Sequence, residues 1–204
     1  MLDRFSVKVI KAPLHHIAKV FNAAGIKADS VTLFGFVIGL LAFPAIVQQQ
    51  YELALILVLA NRIFDGIDGA VARIQGITDS GGFLDITLDF LFYSLIPFAF
   101  VIANPDTNAI AGAFLIFSFI GTGSSFLAFA VMAGKRNIEN PIYKNKSLYY
   151  IGGLTEGTET IGCFVFICLF PQYFAFTAYL FGVLCWVTTA SRIWAGYHTL
   201  KSTH

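Results

Sequence analysis

The sequence predicts an all-α polytopic membrane protein with six transmembrane helices and an N-terminal cytoplasmic amphipathic helix. Of its 204 residues, 57% are hydrophobic and 12% are charged, whereas about 25% are charged in an ordinary soluble domain. A soluble fold of this length cannot bury so much apolar surface and still present a polar exterior. The formal net charge of +1 provides no basic surface for nucleic acid. Composition therefore disfavours a soluble enzyme, a disordered chain and a nucleic-acid-binding module.

Residues 1–27 predict an amphipathic helix that lies on the cytoplasmic surface of the membrane, ahead of a six-span domain of residues 28–204. Apolar residues such as Leu14 and Ile17 are mixed there with basic residues such as Lys11 and Lys19. A helix with one apolar and one basic side binds at the interface between lipid and water. Membrane lipids are therefore expected neighbours of this segment.

Six apolar stretches are long enough, or nearly long enough, to cross a bilayer, which requires about 20 residues. Polar or helix-breaking clusters separate them, such as the three glutamines at 48–50 and the loop at 104–106. The predicted spans are Val31–Gln48, Leu53–Arg73, Gly81–Ala103, Ala109–Ala133, Gly153–Phe170 and Tyr173–Gly196.

The basic residues predict the orientation of these spans. With a cytoplasmic N-terminus, twelve of the thirteen lysines and arginines lie in cytoplasmic segments, and the exception, Arg62, lies in the second span. Cytoplasmic loops of membrane proteins carry an excess of basic residues. The sequence therefore predicts a multi-pass protein of the inner (plasma) membrane with both termini and the active site facing the cytoplasm.

Ionisable side chains are concentrated inside the second and third predicted spans. Such residues are costly in a membrane and usually functional. Because a helix turns by about 100° per residue, the charged residues of the second span share one face and the acidic residues of the third form one stripe. They are Arg62, Asp65, Asp68 and Arg73 on the second span, and Asp85 and Asp89 on the third.

The two acidic faces can meet, because a short loop makes the two helices antiparallel neighbours. Four carboxylates would then repel one another by several kcal/mol unless compensated, and one or two divalent cations would compensate them. Oxygen ligands suit Mg²⁺ or Mn²⁺, and Mg²⁺ is commonly shared with substrate phosphates. Gly66 and Gly69 remove bulk where a ligand approaches the helix, and Arg73 offers a planar fork to phosphate oxygens. The alternatives are a structural salt-bridge cluster and a transporter or channel that uses intramembrane acids.

The stretches 65–73 and 81–89 resemble the signature of the CDP-alcohol phosphotransferase (CDP-alcohol phosphatidyltransferase) family. They read DGIDGAVAR and GGFLDITLD, against the family pattern D-x-x-D-G-x-x-A-R and G-x-x-x-D-x-x-x-D. All eight fixed positions are present. Seven residues separate Arg73 from Gly81, one fewer than is usual, and the missing residue falls in the loop, so the helix faces are preserved.

The resemblance implies that a phosphatidyl or other substituted phosphate group is transferred from a CDP-linked lipid, such as CDP-diacylglycerol, to an alcohol. CMP is released, and the reaction belongs to phospholipid biosynthesis. The resemblance also implies a homodimer and two Mg²⁺ or Mn²⁺ ions per site. It assigns these ions to Asp65, Asp68, Asp85 and Asp89, and it makes Asp89 the catalytic general base on the acceptor hydroxyl.

The same resemblance implies the residues that bind the CDP-lipid. The run Ala28-Asp29-Ser30-Val31-Thr32 is similar to a P-N/D-x-x-T turn of the family, and Asp29 or Ser30 is equally suited to cap the first span. One of the loop residues 78–80 is expected to touch the nucleotide. The implied donor-binding residues are Asp29, Thr32, Gly69, Ala72, Arg73 and Asp79.

The acceptor alcohol stays open at this point. A phosphorylated acceptor, such as glycerol 3-phosphate or inositol phosphate, requires two or three converging cations, for which Lys135, Arg136 and Arg192 are candidates. Glu156 and Glu159 would instead suit an amine-bearing acceptor such as serine or ethanolamine. The candidate acceptor-binding residues are Lys135, Arg136, Glu156 and Arg192.

Overall fold

The described part of the protein folds into seven α-helices, without strands. The structure is a computed structural model that describes residues 3–136, 138 and 153–202, with side chains from residue 13. Lys144 and Lys146, two of the cations on which the predicted orientation depends, lie outside these residues. The helices are α1 (Asp3–Ala23), α2 (Ala28–Val47), α3 (Tyr51–Gln75), α4 (Asp79–Ala103), α5 (Pro105–Lys135), α6 (Gly157–Leu169) and α7 (Phe174–Ser202), and a 3₁₀ turn at Pro171–Tyr173 precedes α7.

Four of the helices, α2, α4, α5 and α7, are long and apolar enough to cross a membrane. Each of the other two predicted spans is also a helix. However, α6 has 13 residues and extends about 20 Å, which is less than the hydrocarbon thickness of about 30 Å. The second predicted span, α3, has 25 residues and carries charged side chains in its C-terminal half. The chain is therefore an all-α, membrane-embedded protein.

Helix α6 begins four residues later than predicted, at Gly157 rather than Gly153. Glu156 caps the helix, because its side chain accepts from the backbone of Glu159 while the Glu159 carboxylate accepts from the Glu156 N–H at 3.1 Å. The preceding residues are held against α7, where Thr188 Oγ1 accepts from the N–H groups of residues 154 and 155 at 3.1 and 3.0 Å. These bonds replace the helical ones that the predicted turn would have made.

The apolar core lies between α2, α3, α4, α5, α6 and α7. Helix α2 packs on α3 and α4, α5 packs on α4 and α7, and α6 packs on α3. Large, fully buried side chains form its centre, among them Phe92, Phe100, Phe164 and Phe174. The rings of Phe100 and Phe174 stack with centroids 4.7 Å apart. This core packs the first half of α3 against the second half of α4, and the acidic residues lie at the opposite ends of these two helices.

Two glycines let α2 approach α3 and α4 closely. A Cβ atom on Gly35 would lie 2.7 Å from Phe64 Cβ, and one on Gly39 would lie 2.8 Å from Asn61 Nδ2 and 2.9 Å from the Phe92 ring. The buried Asn61 amide donates to the Gly35 carbonyl at 2.9 Å. The small residues at 35 and 39 therefore pack helices within one chain.

Helix α1 packs against α3, with Ala18 fully buried in a small cluster with Val31, Ile67 and Val71. The expectation that Gly66 makes room for a ligand is wrong. A Cβ atom on Gly66 would lie 3.0 Å from Leu14 Cδ1 of α1, so this glycine accommodates a neighbouring helix.

We predict that Gly39→Ala destabilises the protein, whereas Gly162→Ala does not. The added methyl group at position 39 has no room beside Asn61 and Phe92, and overpacking typically costs about 1–3 kcal/mol. Gly162 lies in α6 with no atom within 4 Å of the position that a Cβ would take.

Thermal unfolding in detergent with a thiol-reactive dye measures this difference, because the three cysteines are free and buried and become reactive on unfolding. A lower Tm for Gly39→Ala alone is expected. Equal Tm values for the two variants would contradict the close packing.

Candidate active site

Three carboxylates from α3 and α4 converge near the N-terminal end of α4. One oxygen from each of Asp65, Asp68 and Asp85 lies within 4.8 Å of the others. Helical spacing places Asp65 and Asp68 one turn apart on α3, and α4 runs antiparallel beside it. This arrangement confirms that the two acidic faces meet.

Asp89 lies one turn beyond Asp85 but does not belong to this group of three. Its Oδ1 contacts Arg62 Nη2 at 2.9 Å, and Arg62 Nη1 lies 3.7 Å from Asp65 Oδ2. The guanidinium group therefore connects the two ends of the acidic cluster. Sequence reasoning placed Arg62 on the charged face but assigned it no partner.

The Arg62 side chain is held on several sides and is only 13% exposed. Its Nε donates to Asn61 Oδ1 at 2.7 Å, and its Nη1 donates to the Tyr93 hydroxyl at 3.3 Å. The guanidinium carbon also lies 4.7 Å from the centre of the Phe92 ring, within the range of a cation–π interaction. A planar fork fixed in this way holds a carboxylate in one orientation.

A pocket of about 530 Å³ opens on one side of the acidic cluster, between the beginnings of α2 and α4 and the end of α3. Asp68 and Asp85 form part of its wall. Close approach of α2 to α4 depends on Gly81, where a Cβ would lie 3.0 Å from Asp29 Oδ1. Five of the six predicted donor-binding residues line this pocket: Asp29, Thr32, Gly69, Ala72 and Arg73.

Asp79, the sixth predicted donor-binding residue, does not line the pocket, whereas its neighbour Thr78 does. Thr78 is the N-cap of α4 and accepts from Gly81 N at 3.1 Å, so its side chain faces the glycine while Asp79 begins the helix. Lys27 and Gln75 also line the pocket. No sequence motif pointed to these last two.

Asp29 and Ser30 do not cap α2, contrary to one of the two expectations for this turn. The helix begins at Ala28, and its N-cap, Lys27, makes no side-chain capping bond. Instead, Gln75 at the end of α3 accepts from the Ala28 N–H at 3.2 Å and donates to the Ile26 carbonyl at 2.8 Å. The Asp29 side chain is consequently left to face the pocket.

A second pocket, of about 240 Å³, lies between α4, α5, α6 and α7 and adjoins the first pocket. Its wall includes Asp89 and two of the predicted acceptor-binding residues, Glu156 and Arg192. Ile86 and Phe126 line both pockets, so the two cavities are separated by little more than these side chains.

Lys135 and Arg136, the other two predicted acceptor-binding residues, line neither of these pockets. Both are exposed at the end of α5. Arg136 Nη1 donates to the backbone carbonyl of Leu200 on α7. The structure therefore does not bring these two cations to Asp89.

The acidic cluster has the properties expected of a divalent-cation site. Asp68 Oδ2 is buried and has no hydrogen-bond partner among the described residues, and burying such an atom is costly unless a bound ion or water satisfies it. A gap of about 10 Å³ lies between Asp65, Asp68, Asp85 and Asp89. Hard carboxylate oxygens of this kind suit Mg²⁺ or Mn²⁺.

The chain is similar to known proteins over most of its length. The family model for CDP-alcohol phosphatidyltransferase matches residues 26–194. The chain is 57% identical over 202 residues to the inner membrane protein YnjF of Escherichia coli K12, covering 99% of this chain and 98% of that one. It is 30% identical over 202 residues to archaetidylinositol phosphate synthase of Pyrococcus horikoshii, covering 98% and 99% of the two chains.

A solved structure has the same fold. The phosphatidylinositol phosphate synthase PgsA1 of Mycobacterium tuberculosis, with CDP-DAG bound, superposes with a TM-score of 0.65 at 18% identity, covering 90% of this chain and 93% of that one. CDP-alcohol phosphatidyltransferases generally depend on divalent metals. The chain therefore belongs to the CDP-alcohol phosphatidyltransferase family and is an enzyme that transfers a phosphatidyl group in phospholipid synthesis.

Proposed function

We propose that this protein transfers the phosphatidyl group of a CDP-linked lipid, such as CDP-diacylglycerol, to the hydroxyl of a small alcohol and releases CMP. One observation carries the proposal: carboxylates of the acidic cluster line two adjoining pockets, Asp68 and Asp85 the larger one and Asp89 the smaller one. The larger pocket also contains five of the donor-binding residues that the resemblance implies. Two substrates can then meet at the cluster from separate pockets. The bound CDP-DAG of the mycobacterial relative supports a CDP-lipid as the donor.

The larger pocket holds the CDP portion of the donor. Arg73 and Lys27 give it two cations for the pyrophosphate, and charge-assisted hydrogen bonds from a guanidinium fork fix such a group firmly. Gly69 has no side chain on the surface of α3 beside Arg73, so the phosphates can approach Asp68 and Asp85. The acyl chains remain in the bilayer.

Asp65, Asp68 and Asp85 hold a first divalent ion, Mg²⁺ or Mn²⁺. A second ion, which the family resemblance assigns to Asp89, would share that carboxylate with Arg62. When bound, such ions stabilise negative charge on the attacking and leaving oxygens of a phosphoryl transfer. The chain itself supplies the fixed carboxylates and keeps them apart from the lipid.

Asp89 takes the proton of the acceptor hydroxyl. Arg62 binds its Oδ1, which leaves Oδ2 for the acceptor in the smaller pocket. A general base must lie within hydrogen-bond distance of the proton that it removes. Arg62 acts here as a positioning residue, because it touches Asp89 and not the substrate.

The membrane arrangement that we propose has six crossing helices, with the shorter α6 as the fifth. Both termini, the amphipathic α1 and the active site lie on the cytoplasmic side of the inner membrane, as the distribution of basic residues favours. We also propose a homodimer. It rests on the family alone, since Gly35 and Gly39 are occupied by contacts within the chain.

We predict that Asp68→Asn or Asp85→Asn each lowers kcat by at least about 100-fold, because fixed charges at a reacting centre contribute on that scale. Asp106→Asn is the matched control, since Asp106 is exposed in the first turn of α5. Mn²⁺ binding, followed by electron paramagnetic resonance of the purified protein, is expected to weaken with the first two variants only. Full CMP release by a folded Asp68→Asn protein would refute the metal assignment.

We predict that Arg73→Ala raises the KM for the CDP-lipid by about 10- to 100-fold, the loss expected for a charged hydrogen bond of about 1.5–3 kcal/mol. The kcat changes little, because the contact is made in the ground state and the transition state alike. Lys135→Ala is the control, since Lys135 lies outside the pocket. An unchanged KM in the Arg73 variant would remove this residue from the donor site.

We predict that Arg62→Gln lowers kcat by about 10- to 100-fold, the usual effect of losing a residue that orients a functional side chain. The KM for the CDP-lipid stays the same, because Arg62 does not line the larger pocket. Arg62→Lys should recover part of the activity, since a cation returns without the fork that holds Asp89. A higher KM at normal kcat would contradict the positioning role.

A further inference from the structure

We infer that the acceptor is a hydroxyl compound without a phosphate group, either a neutral polyol or an amino alcohol. This inference rests on the proposed function, in which the smaller pocket holds the acceptor. The charge of that pocket, the direction of its hydrogen bonds and its aromatic wall all favour such a compound.

The described lining of the pocket supplies little positive charge for a phosphate, and Lys144 and Lys146 lie outside the described residues. Among the described residues that line it, the charged ones are Asp89, Glu156 and Arg192, which gives one positive charge and two negative charges. A phosphate monoester carries about −1.5 to −2 charges at neutral pH and requires several converging cations for tight binding. Lys135 and Arg136, the other cations considered for this purpose, line neither pocket.

Two threonine hydroxyl groups of the wall have their protons bonded to backbone carbonyls. Thr122 donates its proton to the Phe119 carbonyl at 3.1 Å, and Thr160 donates to the Glu156 carbonyl at 2.9 Å. Because a hydroxyl has one proton and two lone pairs, each of these threonines offers only lone pairs to the pocket. Phosphate oxygens also only accept, whereas hydroxyl and ammonium groups can donate.

Arg192 is the main donor of the wall, and part of its guanidinium group is already engaged. Its Nη1 donates to the Thr122 carbonyl at 3.1 Å, and its guanidinium carbon lies 5.6 Å from the centre of the Phe126 ring. The residue is only 8% exposed. It therefore shapes the pocket from within the helix bundle, and one of its Nη1 protons is committed to the backbone of α5.

Aromatic rings provide the rest of the wall, including Phe90, Tyr93 and Phe119. Ring faces attract an ammonium group and also pack well against the carbon skeleton of a polyol. The volume of about 240 Å³ accommodates a small compound. Both acceptor classes are compatible with these rings, and the experiment distinguishes them.

The experiment offers the purified protein matched pairs of acceptors with CDP-diacylglycerol, and it identifies the lipid products by mass spectrometry. The pairs are glycerol and glycerol 3-phosphate, inositol and inositol 1-phosphate, and ethanolamine and phosphoethanolamine. We expect the unphosphorylated member of one pair to have a kcat/KM at least about 10-fold higher than its phosphorylated partner. Products from the glycerol or inositol pair identify a polyol acceptor, and products from the ethanolamine pair identify an amino alcohol.

Two variants test the pocket residues themselves. Glu156→Gln keeps an oxygen for the Gly153 N–H that Glu156 Oε1 now accepts at 2.9 Å but removes the charge. It should reduce the ratio of kcat/KM between the unphosphorylated and the phosphorylated member of a pair, whereas the exposed Glu52→Gln should not. Thr160→Val removes a hydrogen-bond acceptor and should raise the KM for the alcohol by several-fold, whereas Thr87→Val, an exposed threonine with the same backbone bond to Phe83, should not.

The outcomes separate this inference from the proposed function. A phosphorylated acceptor that reacts better than its partner overturns the inference and leaves the transferase function standing. A folded protein that forms no lipid product with any acceptor overturns the proposed function, and the inference falls with it. A Glu156→Gln variant with unchanged preference also counts against the inference.

Discussion

The architecture depends on one electrostatic constraint: several carboxylates are held together inside an apolar helix bundle. Burial makes each charge costly, and their proximity adds repulsion. A soluble protein could relieve both effects with water, but a site within the membrane has to compensate them with fixed or bound cations. Arg62 compensates part of the negative charge from within the chain, and the remaining negative charge favours the binding of a divalent ion.

The packing around α3 explains how the charged side chains are held in one place. Gly35 and Gly39 bring α2 so close that the Asn61 amide reaches the α2 backbone. Asn61 in turn accepts from Arg62, and Arg62 holds Asp89. A chain of short contacts therefore connects the close approach of two helices to the orientation of the proposed base. The same bundle leaves two adjoining cavities of unequal size at the carboxylates, and this suits a large donor and a small acceptor.

Periodicity was sufficient to predict the helices and the core of the site. Asp65 and Asp68 are one turn apart on α3, Asp85 and Asp89 are one turn apart on α4, and a short loop joins the two helices, so the convergence of the acidic faces could be derived from the sequence. Local bonds were harder to foresee. The start of α6 depends on a capping pair, Glu156 with Glu159, that only the backbone geometry reveals.

Other features depend on where helices end in three dimensions, which no residue pattern states. Gln75, rather than Asp29 or Ser30, bonds the start of α2 because the end of α3 reaches the Ala28 N–H. Gly66 faces α1 rather than a ligand. Lys135 and Arg136 lie at the end of a predicted span, which suggested that they are close to Asp89, but they do not line the smaller pocket. The number of cations along the chain therefore did not identify the acceptor.

The most direct test is an anomalous difference map from crystals of the protein grown with Mn²⁺. The account predicts a strong peak enclosed by the carboxylates of Asp65, Asp68 and Asp85, at the wall of the larger pocket. Carboxylates turned apart, with no peak between α3 and α4, would contradict it.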